Sequence, residues 1–314
     1  MTEDSQPAKV LRLIRLALDD PASAAQLPAR ELDLLLQLLR HVRLHGRFAA
    51  DLKRIGAFEK LPLVAQQQLE SILHFGAARE RQALWELDRI AWATADRPDL
   101  ELVLMKGCAY IVLGLPIAAG RIFADVDLFA WENKLAEIES LLNRRGWTTR
   151  ELSPHDDNYY RVWSHELPPV VHTERDVEID IHHNIVPRTA RLKPPAALLL
   201  QNTQSPGQGR YQVLGKEDLV LHAMVHLMFD SDLALKLRDL VDIDGMCRHF
   251  ASQDTKFWNR LTGRADELGL GRPLYYSLRY MGILLGTAVP DEVTQQAARR
   301  WAPPAAIRQL MDWL

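Results

Sequence analysis

Residues 101–131 read ELVLMKGCAYIVLGLPIAAGRIFADVDLFAW. The apolar run 102–105 has the length and composition of a buried strand, and it ends in Lys106-Gly107. A helix is expected to open over 108–113, followed by a loop over 114–120 that contains Pro116, and then a second strand over 123–130. Successive side chains in a strand point to opposite faces. Asp125 and Asp127 therefore project together, while Val126 and Leu128 point into a core. Two carboxylates side by side repel each other and lose hydration. A divalent cation relieves both costs, and Mg²⁺ takes one or two carboxylates together with substrate phosphates and water. Taken alone, the pair reads equally well as two exposed acids at a strand end.

A second stretch weighs against that bland reading. Residues 175–185, RDVEIDIHHNI, alternate Val177, Ile179 and Ile181 with Glu178, Asp180 and His182, the period of a half-buried strand. The polar face presents Asp180 between Glu178 and His182, with His183 on the other face. If this strand neighbours the first, Asp180 completes a three-carboxylate site of the kind that holds two metal ions in phosphoryl displacement.

Lys106-Gly107, Arg121, Asp125-x-Asp127 and Asp180-Ile181-His182 together resemble the uncharacterised nucleotidyltransferases of the polymerase-β-like superfamily. That superfamily shows a strand, Gly-Ser or Gly-Gly, a helix, Asp-x-Asp on the next strand and a later third acid. The branch resembled here has Lys-Gly and an Arg four residues before the first Asp, the spacing of Arg121 and Asp125. The resemblance covers about residues 70–245. It implies an α+β fold, a small mixed-sheet core flanked by N-terminal and C-terminal helical regions. It also implies Mg²⁺ or Mn²⁺ held by Asp125, Asp127 and Asp180, with an NTP as donor. The departure is Cys108, where the wider superfamily has a Ser that helps hold the nucleotide's phosphates.

Composition sets the broad class. A chain of 314 residues with 47% hydrophobic and 25% charged residues is of ordinary globular type. A net charge of −3 gives no sign of an extended nucleic-acid surface. Two cysteines, Cys108 and Cys247, are too few for a disulfide framework or a four-thiolate zinc site, and they fit a cytoplasmic protein. The N-terminal MTEDSQPAKV lacks the basic and apolar regions of a secretion signal. No run approaches the ~18 apolar residues that a membrane-crossing helix needs.

Along the chain, 1–98 reads as a helical region. Leu32, Leu35, Leu36, Leu39 and Val42 recur at helical spacing within 31–44, and Gly46 and Gly56 are candidate breaks. Residues 64–95 form the longest periodic stretch, in which Trp85 and Trp92 fall on one face and are expected to pack in the core. No catalytic residue is assigned to this region. The nucleotidyltransferase core is placed at 99–190. Within it a helix is expected over 133–145 with Gly146 as its cap, and strands over 147–152, 159–164 and 170–172, with 153–158 a polar turn. The proline-rich segment 187–209 marks a boundary, and 191–314 reads as a C-terminal helical domain. That domain opens with a helix from Lys216, a second over 233–250 carrying Leu235, and three short helices over 257–314. Neither G-x-G-x-x-G nor G-x4-G-K-[ST] occurs, which excludes those dinucleotide and P-loop sites.

In the C-terminal region His222 and His226 share a helix face, either as a metal-ligand pair or as hydrogen-bonded histidines between helices. The resemblance implies that a His-bearing helix and the helix beginning Lys236-Leu-Arg238-Asp239-Leu-Val-Asp242 close over the nucleotide. On that reading Lys236 or Arg238 contacts the triphosphate. Arg238 and Asp242 are also spaced for a plain surface ion pair. Lys106 either offsets a phosphate's charge or neutralises a carboxylate. Arg121 either binds phosphate or braces Asp125, the brace being favoured, and His182 either faces the nucleotide with the acids or supports a carboxylate.

Three functions follow from these residues. The first is a Mg²⁺-dependent nucleotidyltransferase moving NMP from an NTP to an unidentified acceptor hydroxyl on a small molecule, an RNA end or a protein. The second is a nucleotide- or protein-binding module of the same fold without turnover. The third is a His/Asp metal phosphohydrolase using His222, His226 and Asp239.

Overall fold

The computed structural model describes residues 6–175, 177–207, 209–229 and 236–313. The chain starts with helices α1 (Gln6–Asp19), α2 (Ala29–His41), α3 (His45–Arg54) and the 31-residue α4 (Leu63–Ala93). Each presents an apolar face inward. In α2 that face is Leu32, Leu35, Leu36 and Leu39, all buried. Strand β1 (Val103–Leu104), helix α5 (Lys106–Val112), strand β2 (Asp125–Phe129), helix α6 (Leu135–Asn143) and strand β3 (Trp147–Thr149) come next. Then follow α7 (Pro154–Val162), β4 (Val170–His172), β5 (Glu178–His182), α8 (Ala196–Leu200), β6 (Thr203–Gln204) and β7 (Gln212–Leu214). Helices α9 (Lys216–Phe229), α10 (Lys236–Gln253), α11 (Phe257–Glu267), α12 (Gly271–Tyr280), α13 (Asp291–Trp301) and α14 (Ala305–Trp313) complete the chain, with a π-helical turn at Met281–Leu285.

The strands form one mixed sheet in the order β3-β4-β5-β2-β1-β7-β6, and the expected α+β class holds. The inner strands β2 and β5 run parallel, aligning Asp125 with Glu178, Asp127 with Asp180 and Phe129 with His182. Strand β1 lies antiparallel to β2 and parallel to β7, so two strands of the sheet come from beyond residue 190.

Several local expectations are corrected. Residues 159–164 are not a strand. The Ser153 hydroxyl accepts the Asp156 N–H at 3.2 Å, Pro154 follows the cap, and Asp156 and Asp157 occupy the first turn, so α7 forms instead. Trp85 and Trp92 are not core residues but about half exposed. Arg145 lies 4.2 Å from the Trp92 ring centre, and Arg175 lies 5.1 Å from that of Trp85. Residues 257–314 form four α-helices rather than three. The expected start of the second C-terminal helix at Leu233, with Leu235, lies outside the described residues.

Gly46 does not break the chain. It lies inside α3, where a Cβ would come within 2.1 Å of the Gly120 carbonyl oxygen. This backbone-to-backbone contact seats α3 on the loop that leads to Arg121. From α4, Arg79 donates to the carbonyl oxygens of Phe123 and Ala124, both at 2.9 Å, and fixes the entry to β2. Farther along α4 the fully buried Glu86 accepts from Trp147 Nε1 at 2.9 Å and from Arg175 at 2.8 and 3.0 Å. The N-terminal helices are thus bonded to the sheet and its flanking loops at the middle and in the C-terminal half of α4. Among the described residues no helix is long and apolar enough to cross a membrane.

Candidate active site

The site begins where β1 ends. Lys106 adopts φ +44°, a left-handed conformation that costs a side-chain-bearing residue on the order of 1–2 kcal/mol. It turns the chain from strand into α5 and aims the ammonium at Asp127, whose Oδ1 lies 2.7 Å from Nζ. Gly107 follows because the Phe123 ring presses on the helix start. A Cβ at 107 would sit 2.7 Å from Phe123 Cδ1. Cys108 is buried, with Sγ 3.9 Å from the Asp125 carbonyl oxygen. Burial, reinforced by the charges of Asp127 and Asp125, pushes its thiol pKa up.

The β2–β5 register gathers the acids. Asp127, Asp180 and His182 offer ligand atoms that all lie within 4.8 Å of one another. His182 Nε2 is 3.1 Å from Asp127 Oδ1, and Nδ1 is 3.1 Å from Glu166 Oε2. His182 thus stands between two carboxylates, one on β2 and one on the loop before β4. His183 faces the other way, toward Glu132. His165, Glu166 and His182 form a second cluster of potential ligands.

Electrostatics divides the three aspartates. Burial opposes ionisation of Asp127, but Lys106 and His182 outweigh it and hold the carboxyl well below the usual range. Asp125 is raised, first by the charge of Asp127 and then by burial. Asp180 is raised from 3.8 to about 8 by burial and by Asp127, Glu166 and Asp125. One ammonium does not balance this group.

A cavity of about 440 Å³ opens in front of Asp125 and Asp127. Its near wall includes Lys106, Gly107, Tyr110 and Arg121, and its far wall His226, Arg238, Asp239 and Asp242 of α9 and α10. Arg121 does not brace Asp125. It pairs with Asp242 and stacks 5.5 Å from the Tyr110 ring centre. Arg238 accordingly does not pair with Asp242. Its Nη2 and Nε donate to Asp239 Oδ1 at 2.7 and 3.0 Å. His226 Nδ1 lies 3.7 Å from Asp239 Oδ2. Burial resists ionisation of Asp239, yet His226 and Arg238 hold it at about 2.

Of the residues singled out in the sequence, Asp125, Asp127, Lys106, Gly107, Arg121, His226, Arg238 and Asp242 line this cavity. Asp180 and His182 stand beside Asp127, Asp180 being partly buried and His182 almost fully. Lys236 is not part of the lining; its Nζ donates to the Leu227 carbonyl oxygen at 2.8 Å, joining α10 to α9. His222 is buried, and its pKa is lowered by that burial. His222, His226 and Asp239 do not cluster as metal ligands among the described residues. Sequence reasoning missed Glu166, which no pattern marks. It also missed Arg40, Arg43 and His45, which form the cavity's third wall. The basic cluster RHVRLHGR at 40–47 was the available signal for the latter.

The chain is a nucleotidyltransferase, a transferase class identified by a family model that matches residues 28–286, most of its length. It belongs to the uncharacterised nucleotidyltransferase family. No curated protein matches it. Among solved structures it is similar to ANT(2″)-Ia in complex with adenylyl-2″-tobramycin (12% identity, TM-score 0.39, 59% of this chain and 98% of that one). The solution structure of ANT(2″)-Ia matches at 15% identity and TM-score 0.36, over 63% and 95% of the two chains. JHP933 from Helicobacter pylori matches at 13% identity and TM-score 0.34, over 74% and 97%.

Proposed function

We propose that the protein transfers a nucleoside monophosphate from an NTP to an acceptor hydroxyl, with Mg²⁺ or Mn²⁺ held by Asp125, Asp127 and Asp180. The observation that carries this reading is the parallel register that sets Asp127 against Asp180 with Asp125 at the strand entrance. The donor set fits a hard divalent cation, being three carboxylates crowded enough that Asp180 is raised to about 8, with Lys106 bonded to Asp127 and no Lys or Arg bonded to Asp125 or Asp180 among the described residues. Bound there, such an ion would supply charge neutralisation at the transferring phosphoryl group and acidify the attacking hydroxyl.

The chain's own groups do the rest. Lys106 holds Asp127 Oδ1 from one side and His182 from the other, which fixes that carboxylate's orientation. Asp180, as a carboxylate beside Asp127, accepts the acceptor's hydroxyl proton. Arg121 and Arg238, each in the cavity wall and each paired with a carboxylate, would border the nucleotide next to the transferring phosphoryl group.

The deciding experiment measures label transfer from α-phosphate-labelled NTP in Mg²⁺. Asp125→Asn, Asp127→Asn and Asp180→Asn each abolish it while leaving the fold cooperative, and near-normal transfer by any one overturns the assignment. A module without turnover is the second reading. It is favoured by the burial of Cys108 Sγ beneath Asp125, where the wider superfamily places a hydroxyl. Calorimetric NTP binding without pyrophosphate release across an acceptor panel would support it.

A further inference from the structure

The cations of the cavity differ in one respect. Lys106, Arg121 and Arg238 are each matched by a carboxylate, Asp127, Asp242 and Asp239 respectively. Arg40, in the last turn of α2, and Arg43, in the turn that follows, line the same cavity. Neither has a carboxylate partner among the described residues. Positive charge that is not neutralised therefore borders the cavity that Asp125 and Asp127 also line.

The backbone at Arg43 supplies an independent observation. Its φ is +54°, and the flanking bonds, Leu44 N–H to Leu39 O at 2.8 Å and Arg43 N–H to Arg40 O at 3.1 Å, close the end of α2. A left-handed residue at this place after a helix is ordinarily glycine, because a Cβ costs on the order of 1 kcal/mol there. The chain carries a guanidinium instead. The wall is also held in place, since the Gly46–Gly120 contact and the Arg79 bonds tie α3 and α4 to the segment entering Asp125.

We infer that Arg40 and Arg43 form the subsite for the terminal phosphates of the NTP, so that the N-terminal helices are a wall of the nucleotide site and not an appended module. This rests on the nucleotidyl-transfer reading above. A cavity of about 440 Å³ accommodates one nucleotide. With the α-phosphate at the acids, the β- and γ-phosphates extend away and retain net negative charge after a divalent ion has taken its share. Two guanidinium forks suit that remainder.

The test is calorimetry in Mg²⁺ on the full chain, with inorganic tripolyphosphate, the four NTPs, the four NMPs and a short 5′-phosphorylated RNA as probes. Arg40→Gln/Arg43→Gln should weaken tripolyphosphate and NTP at least about tenfold, the loss expected from charged hydrogen bonds, and leave NMP within about twofold. Arg43→Gly relieves the backbone, so it should melt no lower than wild type and still show part of the loss. Unchanged tripolyphosphate and NTP affinity in both variants overturns the inference. Loss confined to the RNA probe also overturns it and moves the arginines to the acceptor. If wild type binds none of the NTPs, the nucleotidyl-transfer reading itself fails and this one falls with it.

Discussion

Replacing Asp180 with Asn removes a charge that the metal-free fold holds at a cost. Asp180 is raised from 3.8 to about 8, first by burial and then by Asp127, Glu166 and Asp125. Between those values the folded chain keeps a proton that the unfolded chain has released. By linkage, stability then falls as pH rises from about 4 to 8, and the full penalty is present above 8. Each pH unit in that interval corresponds to about 1.4 kcal/mol, giving an upper limit of about 6 kcal/mol. Water reaching a partly exposed carboxylate reduces this to on the order of 3 kcal/mol. At roughly 2 °C per kcal/mol for a chain of this size, Asp180→Asn should melt about 6 °C above wild type at pH 8.5 in EDTA. Near pH 4.5 the two should coincide. Half-buried His45 and His165 and buried His183 and His222, whose pKa values are lowered chiefly by burial, give the opposite slope below about pH 6.5. The measured quantity is therefore the difference between the two proteins across pH, by differential scanning fluorimetry. Mg²⁺ should close the gap by raising wild type alone. A difference that is flat from pH 4.5 to 8.5 would refute the claim that Asp180 is crowded by its neighbours.

Two further outcomes follow from packing. Gly46→Ala gains about 1 kcal/mol of helix propensity, yet it should destabilise the chain by about 1–3 kcal/mol, because the new methyl meets the Gly120 carbonyl oxygen; urea unfolding giving a more stable protein would sink the proposed seam. Trp147→Ala should cost about 3–5 kcal/mol, since this ring is buried and also bonded to Glu86. Trp92→Ala should cost about 1 kcal/mol or less, its ring being half exposed and held by Arg145 alone among the described ring contacts. Equal losses in chemical denaturation would contradict that ranking.

What could be read without coordinates was local and periodic. Alternation at 123–130 and 175–185 is a property of each strand by itself, so Asp125 with Asp127, and Asp180 with His182, could be put on common faces from spacing alone. The N-terminal cap of α7 was equally local, with Ser153, Pro154 and Asp156 all in the text of the chain. Pairing is different in kind. The alignment of Asp127 with Asp180, and of Lys106 with Asp127 across the gap between β1 and β2, depends on which strands become neighbours. That choice is made by burial summed over the whole core, not by residues a few positions apart. The same holds where spacing misled. Arg238 and Asp242 are four apart on one helix, yet Asp242 is taken by Arg121 from another element and Arg238 turns to Asp239. Trp85 and Trp92 share a helical stripe, but tertiary packing leaves that stripe outside the core and covers it with arginines. Arg40 and Arg43 reach the cavity through tertiary packing, in which Gly46 and Gly120, 74 positions apart, let one backbone lie against another.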